Sequence, residues 1–248
     1  MSQYPNPYAG SRGSRGGDML GYESQANTLT VAQFFNTVYA WMCVGLAVTA
    51  VVGWYVSHSM DALRVVYATK GTYLVIGLVA FGIAWYVQSQ AGKLSVGVAT
   101  ALFLAYAAII GALISGIFII YPAKTLAASF VVTGGVFGSM SLYGFVTKRD
   151  LTAIGSTAIM IFWGFILASI VNLWLASTAL DWIITYGVLV LFIAITAYQT
   201  QRLRQIAVEL SDNPEMAHRY AIVGSLVLYI AFINLFLSIL RILGNSRR

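Results

Sequence analysis

Between Lys93 and Lys124 the chain reads LSVGVATALFLAYAAIIGALISGIFIIY, residues 94–121, without a single charged side chain. A helix needs about 20 mostly apolar residues to cross the hydrocarbon core of a bilayer, and this run exceeds that length. It lacks the apolar–polar alternation of an outer-membrane barrel strand, so it reads as a spanning helix.

Six similar runs accompany it. Together they predict an all-α integral membrane protein, a seven-transmembrane-helix bundle with spans at 34–56, 71–88, 94–121, 125–146, 151–175, 182–198 and 220–243. The connections are 57–70, 89–93, 122–124, 147–150, 176–181 and 199–219, tight enough to make sequence neighbours antiparallel neighbours. Composition agrees. The 248 residues are 59% apolar and 9% charged, against about 25% charged in a soluble domain. With a mean hydropathy of +0.81, lipid rather than water is the expected solvent. Residues 1–30 differ: YPNPYAGSRGSRGGDMLGYESQ is polar and rich in Gly, Ser and Tyr, and predicts a disordered tail ahead of a seven-helix domain at 31–248.

Charge placement is the strongest internal check. Asp18, Glu23, Asp61, Asp150, Asp181, Glu209, Asp212 and Glu215 all lie outside the spans or at their edges. An ionised group at mid-membrane costs about 2.5–3.5 kcal/mol on insertion scales, and the sequence avoids that cost throughout. Lys and Arg set orientation. The tail and even-numbered connections carry Arg12, Arg15, Lys93, Lys148, Arg149, Arg202, Arg204 and Arg219, while the odd-numbered ones carry Arg64, Lys70 and Lys124. This bias predicts a cytoplasmic N-terminus. Arg241, Arg247 and Arg248 run against it, because seven spans put the C-terminus on the other side.

Few residues invite chemistry. His58 and His218 show no paired metal-ligand spacing, and no nucleophile motif, glycine-rich phosphate loop or cofactor motif occurs. No enzymatic activity, cofactor or metal is expected. The net charge of +6 is scattered over short connections, which does not suggest a nucleic-acid partner. Cys43 reads as a packed thiol. All four prolines (Pro5, Pro7, Pro122 and Pro214) lie outside the spans, which disfavours the broken helices of a solute carrier. The notable uncharged polar residues are Asn172, Gln199 and Asn234, which either pair between helices or line a hydrated ion path. Gly134, Gly138 and Ser141 recur at helical spacing in the fourth span. They read first as intramolecular helix packing, and otherwise as a face for a second copy.

Four stretches together resemble the Bax inhibitor-1 family, also called the transmembrane Bax inhibitor motif family, and its bacterial branch most closely. They are VYAWMCVGLAVTA (38–50), FVVTGGVFGSMSLYGFVTKRDLTAIGS (130–156), ITAYQTQRL (195–203) and LYIAFINLFLSILRILG (228–244). The resemblance implies a last helix wrapped by the other six, a bacterial inner (cytoplasmic) membrane location and a pH-sensitive calcium leak. It also implies association with a membrane-protein partner such as a protease. The family's proton-sensing gate is a pair of aspartates in motifs like TAYDTQ and LYLDFINLF. This chain has Gln199 and Ala231 at the matching positions. Two close carboxylates share a proton and titrate as a pair, whereas an amide and a methyl cannot. The expectation is a channel-like protein with altered gating, or else a membrane protein that binds another without transport.

Overall fold

The structure is a computed structural model that describes residues 15–245. Those residues form helices and no strands: α1 (Arg15–His58), α2 (Met60–Val66), α3 (Lys70–Ser89), α4 (Val96–Ile114), α5 (Ile117–Ile120), α6 (Ala123–Val146), α7 (Thr152–Leu175), α8 (Thr178–Glu209) and α9 (Pro214–Asn245). Seven helical segments are long and apolar enough to span a membrane, with α4 and α5 sharing one. Large apolar side chains such as Leu78, Val131, Met160, Leu167 and Val190 face outward around the bundle. Water would not tolerate that surface, and a bilayer does.

α9 is the core. In its most apolar stretch 61% of residues are buried, against 11–33% in the other spans. Its neighbours are α1, α4, α6 and α8, with a lighter contact to α3. Here the structure departs from the expected ring of six around one. α7 packs mainly on α8, so the fifth span stands outside the sixth. Phe162 meets Phe192 edge-on across that contact, and Phe81 of α3 meets Trp163.

Close backbone approach, rather than apolar drive, fixes these contacts, because lipid is as apolar as the side chains it would release. A Cβ on Gly144 of α6 would sit 2.1 Å from the Ala197 carbonyl oxygen of α8. One on Gly111 of α4 would sit 2.6 Å from the Thr49 carbonyl oxygen of α1. Gly134 and Gly138 behave otherwise: an added Cβ meets nothing within 4 Å. The expectation that they pack helices within the chain is therefore corrected. Their face of α6 is turned outward, and of the three only Ser141 is buried. Cys43, expected to be packed, is also exposed.

Three boundaries differ from the hydropathy reading. α1 is helical from Arg15, inside the segment expected to be disordered, since extending a helix already nucleated adds a hydrogen bond for each residue fixed. Residues 1–14 of that segment, like Arg247 and Arg248, lie outside the described residues. The third span breaks at Ser115–Gly116 between α4 and α5, and Tyr67 fills the break. Its hydroxyl donates to the Leu113 carbonyl (2.9 Å) and accepts from the Gly116 N–H (3.1 Å). Finally, α8 and α9 each run for 32 residues, about 48 Å at 1.5 Å per residue, against a hydrocarbon core of about 30 Å. The expected 199–219 connection thus shrinks to the short turn between Glu209 and Pro214. Both helices continue past the lipid because the membrane surface ends hydropathy, not helix propensity.

Candidate functional site

Gln199 lies well inside α8, on the wall of a cavity of about 240 Å³ at the end of the bundle that holds the α8–α9 turn. Gln88 and Ser89 of α3, Arg202 of α8 and Tyr220 of α9 share that wall, with Val223, Gly224 and Val227 completing the α9 side. Among the described residues, no carboxylate lines this cavity. Ala231 sits one turn deeper on α9 and is 1% exposed. A neutral amide beside a guanidinium offers no binding charge to a hard divalent cation.

The other two amides are satisfied locally. Asn234 donates to the Ile230 carbonyl of its own helix (2.8 Å). Asn172 lies at the far end of α7 and organises the α7–α8 turn, where Ala176 takes the left-handed conformation at φ 47°. Its Oδ1 accepts from the Ser177 N–H (3.0 Å), and its Nδ2 donates to Asp181 (2.8 Å). Asp181 in turn accepts from Arg241 at the end of α9 (2.9 Å). This placement gives Arg241, the cation that runs against the charge bias, an anionic partner at the same end of the bundle.

Two buried polar clusters were not singled out by the sequence, apart from Ser141 in the second. The first is central: the Thr49 hydroxyl of α1 lies 2.9 Å from the Ala107 carbonyl and 3.0 Å from that of Gly45, and pairs with the Tyr229 hydroxyl of α9. The rings of Phe103 and Tyr106 stand edge-on to Tyr229. The second ties the C-terminal end of α6 to α8. Ser141 bridges Tyr39 and Thr200. One residue on, Gln201 donates to the Arg149 carbonyl (2.7 Å) and accepts from the Leu151 N–H (2.9 Å), pinning the α6–α7 connection. Arg204 adds a bond to the Phe145 carbonyl (2.9 Å) and lies over the Phe145 ring. A sequence signal for Gln201 existed: an uncharged amide embedded in TQRLR, where arginines mark the lipid boundary.

Asp150 in that connection caps α7. The Thr152 hydroxyl and the Thr152 N–H (2.9 Å) hold its carboxyl below the usual carboxylate range. A depressed value means the cap is fully present above the unfolded pKa of about 3.9 and is lost as pH falls through the folded value. The Thr152 amide resonance, followed by NMR from pH 6 downward, should therefore titrate with a midpoint below 3.9. A midpoint at or above that value would show that no such cap exists in solution.

Among the described residues, no group of three or more His, Cys, Asp or Glu side chains could hold a metal ion. What the fold defines is a multi-pass α-helical membrane protein, embedded in the bilayer and built around a buried last helix. Residues 31–248 match the family described as Inhibitor of apoptosis-promoting Bax1, and the chain belongs to that family. It is 44% identical over 217 residues to the inner membrane protein YbhL of Escherichia coli (strain K12), covering 86% of this chain and 92% of that protein. An uncharacterized protein of Borreliella burgdorferi is 37% identical over 215 residues, covering 87% and 93%. One of Deinococcus radiodurans is 38% identical over 225 residues, covering 90% and 95%.

Proposed function

We propose that this protein is a non-enzymatic bacterial inner-membrane member of the family, N-terminus cytoplasmic, that lacks a proton-switched calcium leak. One observation carries the reading: Gln199 faces the inner cavity and Ala231 is sealed beneath it, where the resemblance implies two carboxylates. Without a titrating pair, a change of pH has no charge to move at that position and calcium has no anionic step to occupy. The location rests on the inner-membrane relative YbhL, and the orientation on the Lys and Arg bias.

The test is calcium flux into liposomes holding the purified protein, between pH 5 and 8. Flux is expected to be low and without a steep acid–alkaline transition. A steep transition that Gln199→Ala abolishes would overturn the reading.

A second reading is favoured by the open face of α6. Gly134, Gly135 and Gly138 leave backbone accessible within the lipid, the geometry by which another membrane helix approaches closely. On this reading the protein acts by binding another membrane protein, such as a membrane protease, and carries no ion. A specific membrane protein that co-purifies with the wild type, is lost on Gly138→Leu and is accompanied by no flux supports it over the first.

A further inference from the structure

A cavity of about 340 Å³ lies between α1, α5, α6 and α9, near the end of the bundle that holds the α5–α6 turn. Thr49, Phe118, Ala127, Phe130, Val131 and Phe236 are among its walls. Ala50, Ala127 and Val131 are exposed at its rim, so it opens sideways, toward the hydrocarbon, rather than into an aqueous mouth.

The lining is dry by construction. Thr49 supplies its hydroxyl, and that hydroxyl is already committed to two backbone carbonyls and to Tyr229. A buried water needs two to four polar partners, and this cavity has none to spare. Its occupant must therefore be apolar and must arrive through the membrane.

Charge at the rim says which apolar molecule. Lys124, Ala127 and Val131 follow one another at helical spacing along one face of α6, two of them in the cavity wall and the third a turn nearer the membrane surface. Lys124 is exposed and forms no ion pair among the described residues. A lysine so placed extends its stem along the apolar surface and its ammonium to the headgroup layer.

We propose that this cavity is a lipid site: one acyl chain of an anionic bilayer phospholipid enters between α1 and α6, and Lys124 holds its phosphate. The lipid comes from the leaflet on the α5–α6 side. The chain then lies against Phe232 and Phe236 of α9 and behind Thr49, so a lipid touches the central helix directly. This inference stands apart from what the bundle conducts.

Full-length protein in phosphatidylcholine nanodiscs, doped with phosphatidylglycerol carrying a photoactivatable acyl chain, provides the test. Adducts mapped by mass spectrometry should concentrate on Phe118, Ala127, Phe130 and Val131, above exposed positions elsewhere on the bundle such as Met160 and Leu167. Ala127→Trp, a substitution at an exposed rim position that fills the mouth, should remove that enrichment. Lys124→Gln, which leaves the wall intact, should weaken phosphatidylglycerol labelling about fivefold and leave a phosphatidylcholine probe unchanged. Even labelling around the bundle overturns the site. So does equal labelling by both lipids with no effect of Lys124→Gln, or protein–protein adducts between copies at the same residues.

Discussion

Gly144→Ala is expected to destabilise the bundle by about 1–3 kcal/mol, measured as a lowered thermal midpoint in detergent, while Gly134→Ala and Gly138→Ala leave it within about 0.5 kcal/mol. The three substitutions are chemically identical and lie on one helix. They differ in what the new methyl meets. At Gly144 it meets the Ala197 carbonyl oxygen, carbonyl carbon and Cα, all within 3 Å and all backbone. A flexible side chain could swing aside, but backbone cannot, so α6 and α8 must move apart over a contact that also carries the Ser141–Thr200 bond. At Gly134 and Gly138 the methyl enters open space, and the higher helix propensity of alanine offsets any small loss. Equal midpoints for all three would mean that the α6–α8 contact is looser than described.

Gln201→Leu should have an effect of similar size by a different route. The side chain is of similar volume, so no large cavity opens, but two backbone groups lose their partners: the Arg149 carbonyl and the Leu151 N–H. Leu151 is 4% exposed, so water does not replace the lost bond. An unsatisfied buried group costs about 1–3 kcal/mol. The connection from Thr147 to Leu151 should loosen, and trypsin should cut after the exposed Lys148 and Arg149 faster than in the wild type. Gln201→Glu retains the acceptor for Leu151 and loses the donor to Arg149, so it should fall between the two. An unchanged cleavage rate in Gln201→Leu would remove Gln201 from this role.

Much of the fold was legible in the sequence because one rule governs it: lipid rejects charge, so uncharged runs are spans. That rule locates every span, but it says nothing about where a helix stops in water. TQRLRQIAVEL has ample helix propensity and too much charge for lipid, so α8 runs on where hydropathy ends. Nor does the rule rank neighbours. Nothing in the composition of α7 says that it packs on α8 and stands off α9.

The candidate site was less legible for the same reason. Spacing puts Gly134, Gly138, Ser141 and Gly144 on one helix. The buried side of α6 is marked by hydroxyls, Thr125, Ser129, Thr133 and Ser141, but Gly134 and Gly138 fall in helical register with Ser141 and so read like packing residues although they turn outward. Asn172 read as membrane-embedded until the α7–α8 turn, Asp181 and Arg241 closed around it at the bundle's end. Gln199 was legible as a polar residue within an apolar run, but Ala231 was legible only as a substitution within a motif, because an alanine in an apolar span carries no signal of its own.

The proposed lack of a proton-switched calcium leak rests on the absence of a titrating pair at Gln199 and Ala231. The most direct measurement is calcium flux against pH for this protein and for a family member that carries both aspartates, reconstituted side by side in the same liposomes. The account predicts a sigmoidal response from the relative and a flat, low trace from this protein. A matching sigmoid from both would contradict it.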